Sequence, residues 1–257
     1  MKIQTSFLPA FLAIALLPFS AIADDKKPKY DQARETFVKK VNALVSKDRP
    51  AAVQLFIEGS RKLASQFPDE AEARVLVLQS TEFIDDTKQK TAVLKEIAAL
   101  KGKQFTSVAT RAKGLLWRLS KPIGKPVEIK FKAIDGKQVD LKKMKGKVVL
   151  IDFWATWCGP CVAEIPTIKE TYTKWNKEGF EIVGISLDSS KEKLIAFTDK
   201  RKMPWPQYFD ETGDNLLSAS FGVNGIPDMW LIDKQGNLVD MEARHDLAKK
   251  VEKLIKQ

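Results

Sequence analysis

The sequence predicts an α/β domain, a mixed central sheet flanked by helices, preceded by a small all-helical domain. Three observations carry this. Apolar residues recur at helical spacing from Tyr30 to about Leu119. The texture then changes at Lys121-Pro122-Ile123-Gly124-Lys125-Pro126, two prolines and a glycine in a basic stretch, which marks a domain boundary. Beyond it, continuous apolar runs alternate with helical stretches, the pattern of strands buried on both faces. At 257 residues the chain can bury a core in each of two modest domains.

The elements follow in order. Met1-Lys2 is a basic start, Phe7 to Phe19 is almost wholly apolar, and Ala21-Ile22-Ala23 is a small-x-small cleavage site, so residues 1–23 read as a secretory signal peptide. Pro9 and Pro18 interrupt a stretch short of the ~20 apolar residues that span a bilayer. The expectation is export to the periplasm as a soluble protein without stable membrane insertion. Residues 24–120 form the helical domain, with helices expected over about 31–47 and 69–84. Val53, Phe56, Ile57, Ala64 and Phe67 make a stripe between them, entered through Pro50 and followed by Pro68. Val93, Leu94, Ile97 and Ala98 suggest another helix, ending at Gly102. Phe105, Val108, Ala112, Leu115 and Leu119 line the last. This half has no cysteine, no histidine and no glycine-rich loop, and nothing in it looks catalytic.

Residues 121–257 form the α/β domain. A hairpin is expected from Val127–Ala133 and Gln138–Leu141 around Asp135-Gly136, then a buried strand at Val148–Trp154. A helix from about Pro160, a strand at Phe180–Leu187 and a helix from about Lys191 follow. Pro204-Trp205-Pro206 breaks the chain before a strand at Met229–Ile232, a turn at Gly236-Asn237 and a terminal helix over about 246–256.

The net charge of +10 is diffuse: residues 24–120 hold 19 Lys and Arg against 13 Asp and Glu, and residues 121–257 hold 23 against 20. The dense run Lys142-Lys143-Lys145-Lys147 reads as a solvated loop, so no nucleic-acid partner is expected. The two cysteines sit three positions apart. A stabilising disulfide would close a long loop, because long loops remove more unfolded-state entropy. This pair is there for reactivity. Structural zinc would need four ligands, and the lone His245 does not complete a set, so no metal or other cofactor is expected.

The run Val148-Val149-Leu150-Ile151-Asp152-Phe153-Trp154-Ala155-Thr156-Trp157-Cys158-Gly159-Pro160-Cys161 carries a buried strand into the start of a helix. Unpaired N–H groups and the positive end of the helix dipole there favour a thiolate, the species that attacks a disulfide. Cys158 is therefore the nucleophile, and Cys161, one turn on, resolves the mixed disulfide. Pro160 suits a first helical turn, where its missing N–H costs nothing.

With Glu164-Ile165-Pro166 after the cysteines and Gly225-Ile226-Pro227 before a strand ending Leu231-Ile232-Asp233, the segment 121–257 resembles the thioredoxin superfamily, and within it the TlpA/ResA-like group of exported thiol:disulfide oxidoreductases. The resemblance implies a thioredoxin-like fold. It implies that Pro227 is a cis-proline packed against the redox pair, with Ile226 offering backbone groups to an extended substrate, and that Pro166 kinks the active-site helix. It makes Trp157 part of the contact surface around Cys158. Gly159-Pro160 is the dipeptide of thioredoxin, at the reducing end of the scale, whereas an oxidant such as DsbA stabilises its reduced form. Asp152 matches the buried aspartate of thioredoxin, whose raised pKa lets it take a proton from the resolving thiol. Glu164 matches an acidic residue of the group, either tuning the thiols or lying on the helix surface. Asp228 departs from the pattern, which favours a small neutral residue. Facing the sulfurs from ~7 Å it would cost the thiolate roughly 0.6–2.4 kcal/mol, and facing solvent almost nothing.

The implied activity is reduction of disulfides in exported protein substrates, with electrons from a membrane thiol transporter of the CcdA or DsbD type. Two alternatives stand beside it. A peroxiredoxin-like thiol peroxidase needs a threonine three residues before its cysteine, where this chain has Ala155, with Thr156 one position off. A partner-binding or assembly module would use the helical half and give the thiols a subsidiary part.

Overall fold

The structure, a computed structural model, describes residues 27–257. The expected signal peptide, residues 1–23, lies outside the described residues. The chain divides into two compact units between Ala109 and Thr110.

The first unit contains α1 (Lys27–Val45), α2 (Arg49–Gln66), α3 (Ala71–Ser80), α4 (Thr87–Ala98) and the opening of α5 (Thr106–Leu119). Its helix starts are written locally. The Asp48 carboxylate accepts from the Ala51 N–H at 3.0 Å with Pro50 in the first turn of α2, and Asp86 accepts from the Gln89 N–H at 2.6 Å to start α4. Each such cap contributes about 1 kcal/mol. Phe56, Leu63, Leu76, Val93, Leu94 and Ile97 are buried within this unit. One expected boundary shifts: α4 stops at Ala98, and Gly102, with φ 115°, instead turns the chain into the short 3-10 turn Lys103–Phe105. Among the described residues no helix is long and apolar enough to cross a membrane.

The second unit opens with the remainder of α5 and a hairpin of β1 (Lys130–Lys132) and β2 (Gln138–Asp140), Phe131 facing Val139. Then come β3 (Val148–Trp154), α6 (Gly159–Trp175), β4 (Phe180–Ser186), α7 (Lys191–Arg201) and β5 (Gln207–Tyr208). They are followed by α8 (Leu216–Ser220), β6 (Asp228–Ile232), β7 (Leu238–Asp240) and α9 (Leu247–Ile255). The five later strands form one sheet in the order β5-β4-β3-β6-β7, with β3 parallel to β4 and antiparallel to β6. This is the expected mixed sheet flanked by helices, a thioredoxin-like fold. β5, α8 and β7 escaped the sequence reading because runs of two to five residues are too short to show a period.

Strand β3 is buried at every position because it is central and covered on both faces. Val148, Leu150 and Trp154 join a core with Ile165 and Ile168 of α6 and Val251 of α9. Val149, Ile151 and Phe153 join the opposite core with Phe131, Val139 and Trp230. Each such side chain contributes roughly 1.5–3 kcal/mol of burial. The last turns of α5 pack on this unit too. A Cβ on Gly114 would lie 2.0 Å from the Ala219 carbonyl oxygen, and the Trp117 ring stacks on Trp230 with centroids 5.5 Å apart. That packing is why the division between units falls inside α5, before the stretch Lys121–Pro126 taken as the boundary from sequence.

Candidate functional site

The site lies where β3 runs into α6. Cys158 is the N-cap of α6, and its Sγ accepts a hydrogen bond from the Cys161 N–H at 3.2 Å. Pro160 occupies the first turn, where no donor is missed. Cys158 and Cys161 are joined as a disulfide with S–S 1.97 Å, and both are buried. Gly159 and Pro160 are exposed, and Trp157 stands 66% exposed beside them, an unusual place for an indole. A donor N–H aimed at Cys158 Sγ from the start of a helix favours negative charge on that sulfur.

Asp152 lies two residues before Trp154, on the face of β3 whose core also holds Cys158 and Cys161. It is 3% exposed, and its Oδ1 has no hydrogen-bond partner among the described residues. Burial pushes its carboxyl up to about 7, with the charges of Glu164 and Asp228 adding to the rise. Its neighbour on β4 is Gly184, and opposite Gly184 on β5 stands Gln207. A Cβ at Gly184 would fall 2.0 Å from Gln207 Oε1, so the glycine makes room for this amide in Asp152's row. The Trp154 indole N–H donates to Gln207 Oε1 at 2.9 Å.

Glu164 is ion-paired, accepting from Arg244 Nε at 2.7 Å, and it also contributes to the raised pKa of Asp152. The structure places Glu164 on the surface of α6, paired with Arg244. Pro166 lies inside α6 on its exposed side. The Ile226–Pro227 peptide is cis. Both residues are half-buried and lie just beyond the β3–β6 ladder, whose end pair is Phe153 with Asp228.

Asp228 takes neither orientation expected of it. It points neither at the sulfurs nor into solvent but is held on the Trp230 face of the sheet. Its Oδ1 accepts from the Trp230 indole N–H at 2.7 Å and its Oδ2 from the Arg118 guanidinium of α5. Burial raises its carboxyl, and Arg118 and Trp230 pull it back in part.

Three residues here were not singled out from sequence. Asp188, just past β4, is buried and accepts from the Thr156 hydroxyl at 2.5 Å, the Thr156 N–H at 3.1 Å and the Ser186 hydroxyl at 2.7 Å. It ties the loop entering Cys158 to the end of the neighbouring strand. Nothing local in the sequence marks Asp188, since its partner Thr156 is brought to it by the fold. Gln207 sits in a two-residue strand, and Arg118 in a helix whose interior gives no sign of redox chemistry. The Thr156 hydroxyl, committed to Asp188, is not offered to Cys158, and Ala155, in the position a peroxidase needs for threonine, has no hydroxyl to offer.

A model of the AhpC/TSA family matches residues 123–241. Relatives named thiol-disulfide oxidoreductase ResA include one from Bacillus thuringiensis (strain Al Hakam), 35% identical over 42% of this chain and 61% of that protein. Another, from Bacillus cereus (strain ATCC 10987 / NRS 248), is 31% identical over 48% of this chain and 70% of that protein. The chain thus spans less than two thirds of the first relative's length. Among solved structures, the thioredoxin domain of a thiol-disulfide oxidoreductase from Bacteroides vulgatus aligns with 32% identity over 52% of this chain and 97% of that chain, with a TM-score of 0.48.

Proposed function

Because the chain belongs to the thioredoxin-like family that includes the ResA thiol-disulfide oxidoreductases, we propose that it reduces disulfides of exported proteins by dithiol exchange through Cys158 and Cys161. The observation that carries this reading is the Cys161 N–H directed at Cys158 Sγ from the first turn of α6.

In the reduced protein the Cys158 thiolate attacks one sulfur of the client disulfide. A mixed disulfide forms, and the client's other sulfur leaves as a thiolate that takes a proton. The Cys161 thiol then passes its proton to the Asp152 carboxylate and attacks Cys158 Sγ, expelling the client's second thiolate. Two electrons move from the protein to the client, and the protein is left with its own disulfide. A carboxyl near pH 7 in pKa suits the transfer, since it is partly ionised when needed and can give the proton back. Exposed Trp157 and the Ile226-Pro227 segment supply the surface on which an extended client lies. Recharging draws on a membrane dithiol donor of the CcdA or DsbD type, and the signal-peptide reading of residues 1–23 puts the cycle in the periplasm.

Insulin reduction driven by dithiothreitol tests the exchange. The wild-type protein should accelerate it, Cys158→Ser should abolish the acceleration, and Cys161→Ala should accumulate a mixed disulfide at Cys158. Acceleration that survives Cys158→Ser would overturn the reading.

A further inference from the structure

Asp228 follows the cis-proline directly, and it is aligned with Phe153 at the end of β3 that feeds the redox loop. Such a place should carry no net negative charge if Cys158 is to ionise readily. Both carboxylate oxygens nevertheless accept hydrogen bonds as an anion's would: Oδ1 from the Trp230 indole and Oδ2 from the Arg118 guanidinium. Arg118 is itself fixed. Its Nε donates to the Phe221 carbonyl at 3.2 Å, and its guanidinium lies 5.3 Å from the Trp230 ring centroid. Gly114, one turn earlier on α5, lets the helix come this close to Gly222.

Resting on the dithiol reading above, we propose that Arg118 is a positioning residue for the redox centre: it neutralises Asp228 beside the cis-proline and holds that carboxylate on the Trp230 face, so that Cys158 retains a reactive thiolate. The pair thereby reconciles a buried acid next to the cis-proline with a reactive dithiol. The charged groups concerned are few. Asp228 is paired with Arg118 from α5; Asp152, on the other face of the sheet, feels the charges of Asp228 and of Glu164, which is paired with Arg244. Removing Arg118 frees the Asp228 carboxylate from the guanidinium that holds it on the Trp230 face and leaves its charge unbalanced beside the cis-proline. A freed unit charge that came to ~7 Å from a sulfur, at an effective dielectric constant of about 40–80, would change its ionisation equilibrium roughly threefold to tenfold.

The test is the rate of iodoacetamide alkylation at Cys158, in reduced full-length protein from pH 5 to 9. Arg118→Met keeps an apolar stem and should lower the rate near pH 7 roughly threefold to tenfold. Asp228→Asn keeps the acceptor for Trp230 and, leaving Arg118 unopposed, should raise the rate. The Arg118→Met/Asp228→Asn double variant should return close to wild type, and Arg118→Lys should stay there. Unchanged profiles in both single variants, or a double variant as slow as Arg118→Met, would overturn the proposal. Should Arg118→Met fail to fold, Asp228→Asn decides alone: a faster rate supports the charge balance and an unchanged one refutes it. A wild-type protein with no alkylatable low-pKa sulfur would instead refute the dithiol reading itself.

Discussion

Two buried aspartates flank the redox loop, and they are built in opposite ways. Asp188 sits at the end of β4 with its oxygens filled by Thr156 and Ser186, and it anchors the backbone that leads to Cys158. Asp152 sits on the adjoining strand with Oδ1 unpartnered and its carboxyl pushed up to about 7 by burial. The same side chain is thus a fully bonded anchor in one place and a buried carboxyl with an unpartnered oxygen in the other. A carboxylate whose oxygens are filled by donors fixes geometry, whereas one denied donors in an apolar strand has its pKa raised by burial.

The sharpest way to break this comparison is through Asp152. Its folded-state pKa lies above the ordinary carboxylate value of about 4, so its contribution to stability is full below about pH 4 and is lost as pH rises through about 7. Asp152→Asn has no such titration. The unfolding free energy of the oxidised variant should therefore gain on wild type by about 4 kcal/mol between pH 4 and 8, read from urea unfolding at each pH. Parallel curves would mean that Asp152 carries no displaced proton.

Asp188→Ala comes next. It strands the Thr156 N–H and two hydroxyls, and should cost about 3 kcal/mol in urea unfolding at neutral pH. Thr156→Val removes one charge-assisted bond and should cost about 1.5 kcal/mol in the same assay. Glu164→Gln is the smallest: losing a negative neighbour should lower the Asp152 midpoint, seen as a small acid shift of the pH profile of client reduction.

The contrast also explains what could be read from sequence. The strand Val148–Trp154, Asp152 within it and the two cysteines were legible because a continuous apolar run and a C-x-x-C at a helix start are local patterns. So were the stripes of the helical half. Asp188, Gln207 and Arg118 were not, since each acts through partners far away in sequence: Thr156, Trp154 and Asp228 respectively. Asp228 shows the limit most clearly. Its sequence neighbours offered only the sulfurs or solvent as surroundings, while its partner stands on a helix that sequence had grouped with the other domain.

The direction of electron flow is tested most directly by the reduction potential of the Cys158–Cys161 pair. It can be obtained by equilibrating the protein with glutathione redox buffers and counting alkylated thiols by mass. A thioredoxin-like dipeptide between the cysteines predicts a value near the reducing end, around −270 mV, and a value near −120 mV, where a strong oxidant such as DsbA lies, would contradict the proposal that this protein reduces its clients.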